Sequence, residues 1–413
     1  MHTSRKFILL ACLYFSQGMP YGFFSQALPA ILRERDMSLT HIGLTYLLLL
    51  PWALKFLWAP LVDELGIPGF GHRKTWLVAA QVLTVTVLLY LGLYAGLDDG
   101  GGTSLLFWGF FLANLLAATQ DIATDGMAVN LLSPEERGIG NGIQVAGYRL
   151  GMIVGGGVLL SFFGSLGWRG IFLFMAGLLV LSTLPALSWR EPGAASGRTR
   201  EGYWEIFSHV WRKPGFPVWL GLIAFYKFGE AMATGMLTPF LSDLGMNMVD
   251  IAEVTGKWGF VGGLLGSLLG GFLVTLMGRY IALLVLGLLQ TISVGGYVAL
   301  ADGWLSLDLL NWVVCWEHFA AGMATAALFT VMMDVCDGTT ASSDYTLQAS
   351  AVVIATGIAK TLSGLVADYH GYGFTFQTSM VLTLLGVVAF AILARRWVRA
   401  GGRIALIGPA VSH

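Results

Sequence analysis

A run of about 20 mostly apolar residues, long enough for a helix to cross the hydrocarbon core of a bilayer, recurs along this chain between short polar or Gly/Pro-marked breaks. Twelve such runs fit. Numbered as spans one to twelve, they cover 7–32, 41–62, 75–96, 105–131, 139–164 and 170–189, then 216–242, 251–277, 280–301, 309–334, 345–368 and 375–395. Composition sets the same limit: 56% of the residues are hydrophobic and 11% charged, with mean hydropathy +0.73, whereas roughly a quarter of an ordinary soluble domain is charged. Water is not the main solvent of such a chain. The expected fold class is all-α integral membrane, with 12 transmembrane helices.

The longest polar stretch, 190–215, divides the spans six and six. The expected domains are an N-terminal six-helix bundle over 1–189, a cytoplasmic linker over 190–215, a C-terminal six-helix bundle over 216–395 and a cytoplasmic tail over 396–413. A weak internal repeat makes the bundles pseudo-symmetric. Span one ends ALPAIL at Pro29 and span seven LTPFL at Pro239; Ile42 and Ile251 follow after short loops, and Lys55 and Lys257 take similar places on spans two and eight. Counting Lys and Arg orients the chain, because cytoplasmic loops hold the excess. With the N-terminus inside, fifteen of 23 fall in cytoplasmic segments and three, Arg33, Arg35 and Arg169, outside. The expected location is a bacterial inner membrane, multi-pass, with both termini cytoplasmic. The start, MHTSRKF, lacks a small-residue cleavage site downstream and reads as the lead-in to a retained span, not a signal peptide.

Several function classes fall away. Cys12, Cys315 and Cys336 are scattered without metal-ligand or disulfide spacing. A net charge of -1 offers no basic face for nucleic acid. The glycine patches lack a preceding strand and a following GK[ST], so no phosphate-binding loop, no ATP site and no cofactor is expected. No nucleophile or metal cluster suggests an enzyme, and no soluble domain suggests a sensor.

Charges inside the spans carry the mechanism, since each costs roughly 2.5–3.5 kcal/mol at the bilayer centre and must face protein, water or a partner. Acids lie on span four (Asp121, Asp125), span seven (Glu230, beside Lys227) and span ten (Glu317, beside His318). Cations lie on spans two, five, eight and eleven as Lys55, Arg149, Lys257 and Lys360. Asp121 and Asp125, four apart, share a helix face with Gln120 adjacent. Two carboxylates there can hold a proton near neutral pH, or Arg149 can neutralise one in a structural pair. Lys227 and Glu230 are spaced for an intrahelical pair, or can divide between an anionic solute and a proton. Glu317 and His318, being neighbours, are expected on different faces. The proton-coupling candidates are therefore Asp121, Asp125, Glu230 and Glu317, and Arg149, Lys227, Lys257 and Lys360 would offset charge on a solute.

Tyr14, Gln17, Tyr21 and Ser25 form a polar-aromatic stripe on span one, repeated on span eleven by Tyr345, Gln348, Thr356 and Lys360. Such stripes suit a cavity wall or plain helix packing. Tyr14, Gln17, Tyr21, Gln120 and Gln348 complete the solute-binding candidates. Glycines 155–157 and Gly262, Gly263, Gly266, Gly270 and Gly271 are read as points of close helix approach, and Pro20 and Pro51 as kinks. After span two, Asp63, Arg73 and Lys74 can form a gating latch, or the two bases serve only the positive-inside asymmetry.

The stretches YFSQGMPYGF, KFLWAPLVD, QDIATDGMAV, LSPEERG and GYRLGM resemble the major facilitator superfamily, in its group of AmpG-type muropeptide permeases and acetyl-coenzyme A transporters. The superfamily's loop signature is present in stretched form, Asp63 followed by Gly71, His72, Arg73 and Lys74. AmpG-type permeases commonly carry further spans, so this compact pattern is more similar to single-component permeases for siderophores such as pyochelin and rhizobactin. That resemblance implies the major facilitator fold and proton-driven import of a ferric siderophore by alternating access, without an ATPase subunit. Its alternative is a muropeptide, an anhydro-sugar peptide. The expected partners are the small solute, protons and the bilayer.

Overall fold

The computed structural model describes residues 3–24, 28, 50–94, 102–191, 202–213 and 215–399. Ser25, Pro29, Arg33, Arg35, Ile42, the middle of the linker and residues 400–413 lie outside them. Every long element among the described residues is a helix, and the one β-bridge, Ile67 with Gly71, closes the turn after span two.

Eight of the described helices are long and apolar enough to cross a membrane: His72–Tyr94, Leu105–Leu131, Arg137–Ser161, Phe163–Ser188, Asp250–Met277, Arg279–Ala301, Leu307–Val335 and Ala341–Leu393. The last runs for 53 residues and turns at Gly371, where φ is 79°, a conformation that costs a side-chain-bearing residue dearly. Spans eleven and twelve are thus two helices. Thr3–Gly22 supplies span one and Phe216–Asp243 span seven. Span two is broken: Leu50–Leu54, a 3-10 turn Lys55–Leu57, then Ala59–Glu64. Span eight carries a π turn at Glu253–Trp258, so Lys55 and Lys257 both sit on irregular turns of corresponding spans. Each expected span therefore finds helix among the described residues.

Internal packing divides the chain into two units, the first of Met1–Leu131, Gly147–Ser208 and Asp337–Thr346, the second of Leu132–Ala146, His209–Cys336 and Leu347–His413. Each takes in a short piece from the far half of the sequence, the start of span five in one case and of span eleven in the other. The first unit buries an aromatic core around Phe23, Phe110, Trp168 and Phe172. The second buries Leu237, Phe240, Tyr297, Val314 and Phe376. Polar side chains join these apolar cores, and large apolar side chains cover the surface. Gln17, Gln81, Asn114, Gln290 and Gln348 are fully buried, while Tyr94, Trp108, Leu181, Leu276, Ile292 and Trp312 are each more than half exposed. Such surfaces are stable only where hydrocarbon replaces water.

Glycine sets the helix spacing. In the second unit a Cβ on Gly262, Gly266 or Gly270 of span eight would overlap the backbone of Cys315, Phe319 or Met323 of span ten. The four-residue step on both sides seats a ridge of glycines on span eight directly against the backbone of span ten. In the first unit Gly155 meets the backbone of Met19 in the same way, whereas Gly157 faces open space. Gly155 lies in a π turn, Val154–Val158, where span five bends past span one.

Candidate functional site

Span four brings the first unit's chemistry together. Lys55, on the 3-10 turn of span two, is 3% exposed and forms an ion pair with Asp121 of span four; its Nζ lies 3.9 Å from Asp125 Oδ2. Tyr14 of span one donates its hydroxyl to Asp125 Oδ1 at 2.7 Å. The cation paired with Asp121 is Lys55 of span two. A broken turn aims Lys55 across at span four, while Arg149 is half-buried beside Tyr148 on span five. The trio holds two acids and one base.

Around this trio lies a buried polar seam. Gln17 Nε2 donates to Thr124 Oγ1 at 2.9 Å, and Gln120 and Gln81 both donate to Ser16 Oγ, at 2.8 and 3.2 Å. Gln17 Oε1 has no hydrogen-bond partner among the described residues. Tyr21 sits one step along, in edge contact with Trp52 at 5.9 Å and tilted on Tyr148 at 5.7 Å. Trp52 in turn donates to Asn114 Oδ1 at 3.2 Å and lies 5.6 Å from Lys55 Nζ. Trp52, Tyr148, Thr124 and Asn114 escaped the sequence reading. Trp52 and Asn114 stand within seven residues of a charged residue on their own spans, and that proximity was the available signal.

The second unit gathers a second cluster. Lys227 and Glu230 do pair along span seven, at 2.7 Å, and Lys227 also donates to Thr325 of span ten at 3.1 Å. Lys360 and His318 stand in electrostatic reach of Glu230. Glu317 is fully buried; Tyr297 of span nine donates to its Oε2 at 3.1 Å, and His318 Nδ1 approaches the same oxygen at 3.0 Å. Glu317 and His318, expected on different faces, therefore meet. The ring folds back over Gly259, where the missing side chain leaves it room. Glu317 Oε1 has no hydrogen-bond partner among the described residues.

Two solute-binding candidates stand apart. Lys257 is 64% exposed and pairs with Glu253 on its own turn at 3.0 Å, so correspondence with Lys55 in sequence does not carry over to surroundings. Gln348 spends its amide on packing, accepting from Trp219 Nε1 at 2.7 Å and donating to Met332 O at 3.1 Å.

The loop after span two forms a compact latch within the first unit. Arg73 Nη2 reaches Asp63 Oδ1 at 3.1 Å despite the stretched spacing. Asp63 also accepts from the backbone N–H groups of Ser342 and Ser343, at 3.2 and 2.8 Å, and from Ser343 Oγ at 2.8 Å. It thus caps the start of span eleven from a distance, where the helix dipole favours an anion. Glu191 accepts from the first N–H groups of span three at Arg73 and Lys74, and Lys74 donates to the closing carbonyls of span six, Leu187 and Trp189. The sequence did not single out the matching arrangement in the second unit. There Asp334, at the end of span ten, holds Arg137 at 2.7 Å and Arg279 at 2.9 Å, and Arg279 also donates to Pro134 O. Gly278–Arg279 after span eight repeats the Gly and Arg of the loop after span two, which was the signal available.

Comparison with known proteins adds the following. A profile of the Major Facilitator Superfamily matches residues 10–343. The anhydromuropeptide permease of Escherichia coli K12 is 29% identical over 93% of this chain and 79% of its own length. A putative transporter AmpG 4 of Rickettsia felis is 26% identical over 89% of this chain and 91% of its own, and an uncharacterized protein of Haemophilus influenzae 29% identical over 93% of each. Among solved structures, the E. coli fucose:proton symporter FucP superposes with a TM-score of 0.72 over 95% of this chain and 99% of that one, at 14% identity. A bacterial homologue of the iron transporter ferroportin gives 0.69 over 96% and 100%, at 15% identity. At such identities the likeness is one of fold.

Proposed function

The chain belongs to the Major Facilitator Superfamily, and we propose that it is a proton-driven importer of an anhydromuropeptide. Membership makes it a multi-pass membrane transporter; substrate, coupling and direction are the proposal. The observation that carries the coupling is the buried trio of Lys55, Asp121 and Asp125 with Tyr14 on it. Two acids against one base make a site that changes net charge by binding one proton, and Tyr14 and Lys55 give it contacts on spans one and two that can respond to that change. The substrate class is supported by relatives named as muropeptide permeases. Siderophore import rests on a resemblance in pattern and on chain length. Chain length does not separate the two substrates, because the Rickettsia relative that carries the AmpG name is matched over 91% of its length. A muropeptide is anionic and amide-rich. Lys227 and Lys360 in the second unit suit its carboxylates, and the Gln17 and Gln120 seam suits its amides.

On this reading the spans lie in the inner membrane with both termini cytoplasmic, and the Asp63–Arg73 and Asp334–Arg137–Arg279 latches act as cytoplasmic gates in alternating access. The test is uptake of radiolabelled anhydromuropeptide into proteoliposomes holding the purified protein, with an imposed pH gradient, acid outside. Accumulation that a protonophore abolishes supports the proposal. Accumulation of a ferric siderophore instead, with none of the muropeptide, overturns the substrate. Equal uptake with and without the gradient overturns the coupling.

A further inference from the structure

The segment joining spans six and seven contains an amphipathic helix, Tyr203–Arg212, whose apolar residues form one broad arc opposite Glu205, Ser208, His209 and Arg212. Ile206 and Val210, one turn apart, are 4% and 2% exposed and hold the helix to the protein. At the outer edge of the same arc Trp204 and Trp211, seven residues and so nearly two turns apart, are 75% and 42% exposed. The rings of Tyr203, Trp204 and Phe207 pack on one another along the helix, with centroids 5.0–6.3 Å apart. Tyr203 donates its hydroxyl to Leu57 O of span two at 2.6 Å, which pins the first turn.

Protein covers only the Ile206 and Val210 edge of this apolar arc, and its tryptophan edge needs another cover. Its position names the cover. Span six ends at Ser188 and span seven begins at Phe216, four residues beyond Arg212, so the helix cannot leave the membrane face. Indole rings favour the boundary between headgroups and hydrocarbon. Charge agrees with that boundary: the acidic residue, Glu205, sits in the first turn, where it accepts from Gly202 N at 3.0 Å, while Arg212 and Lys213 close the last. Bases at the exit of an aromatic interfacial helix match anionic phospholipid headgroups.

We infer that Tyr203–Arg212 is an interfacial helix that inserts Trp204 and Trp211 at the headgroup boundary and binds anionic phospholipid through Arg212 and Lys213. The inference rests on the membrane reading of the chain and not on its substrate.

The test uses full-length protein with Cys12, Cys315 and Cys336 replaced by serine, and a nitroxide placed at Trp204→Cys or, separately, Trp211→Cys. Each is reconstituted in phosphatidylcholine vesicles with and without phosphatidylglycerol, beside a control label at the exposed loop position Glu135→Cys. Oxygen partitions into hydrocarbon and a nickel chelate into water. Expected is an oxygen-to-chelate accessibility ratio several-fold above the control at both tryptophan positions, rising further with phosphatidylglycerol. Arg212→Gln with Lys213→Gln should remove the rise and leave the ratio in phosphatidylcholine. A ratio equal to the control overturns insertion, and low accessibility to both reagents overturns it in favour of a second copy of the chain. A ratio indifferent to phosphatidylglycerol overturns the lipid preference. A failed muropeptide assay leaves every arm of this test standing.

Discussion

Lys55 is 3% exposed and surrounded by its partners, so removing it strands two carboxylates in a medium that cannot solvate them. Taking one member from a buried ion pair costs about 3–5 kcal/mol. Lys55→Met should therefore lower the melting temperature of the detergent-purified protein and abolish transport. Lys55→Met with Asp121→Asn should recover part of the melting temperature, because one of the two stranded carboxylates is gone, without recovering transport. Asp125→Asn is a different case. Its amide oxygen can still accept from Tyr14, so the local structure is kept while the titrating group is lost. Expected is near-normal exchange of labelled for unlabelled solute across proteoliposomes with no accumulation under a pH gradient. Loss of both activities together would move the coupling elsewhere, with Glu317 the next position to test.

Spans meet through two devices, glycine ridges and helix-end charges, and each has its own consequence. Gly266 packs against the backbone of Phe319, so Gly266→Val must push spans eight and ten apart. Overpacking of this kind costs about 1–3 kcal/mol, and where backbone is the obstacle the upper end applies. A lower yield of folded protein and a reduced melting temperature are expected, with Gly157→Val, which faces open space, as the unaffected control. Asp63→Asn keeps the shape of its side chain but weakens its contacts to Arg73, Ser342 and Ser343, hydrogen bonds worth about 1.5–3 kcal/mol each while a charge is present. The start of span eleven should then open more often. Labelling of Ser343→Cys by a membrane-impermeant maleimide from the side bearing the latch should rise several-fold on adding Asp63→Asn, and an unchanged rate would remove the latch from the gating scheme.

For the molecule as a whole, the two latches occupy corresponding places: a base after span two and a base after span eight, each drawn to an acid at a helix end and each holding the start of a helix from the far half of the chain. If both gate one cycle, Asp63→Asn and Asp334→Asn should each lower transport, and together should depress it no further than the stronger alone. In cells, deletion of the gene should block recovery of cell-wall anhydromuropeptides while leaving iron-limited growth on ferric siderophores unchanged.

Hydropathy and the positions of the charges were enough to establish a twelve-span membrane chain, because hydrocarbon tolerates no other reading of 20-residue apolar runs and few stray charges. Most span limits that fall on described residues followed to within a few residues, and so did the close approach of the glycine ridge. Which charge meets which was decided by tertiary structure. Asp121 took Lys55, because a non-α turn in span two aims the lysine across the gap. His318 met Glu317, its neighbour in sequence, because Gly259 leaves space for the ring. Lys257, equivalent to Lys55 by repeat, remained exposed on its own turn. Partners of this kind depend on the rotation of each helix about its axis and on local breaks, both set by packing between distant segments, and no periodicity within one span records them.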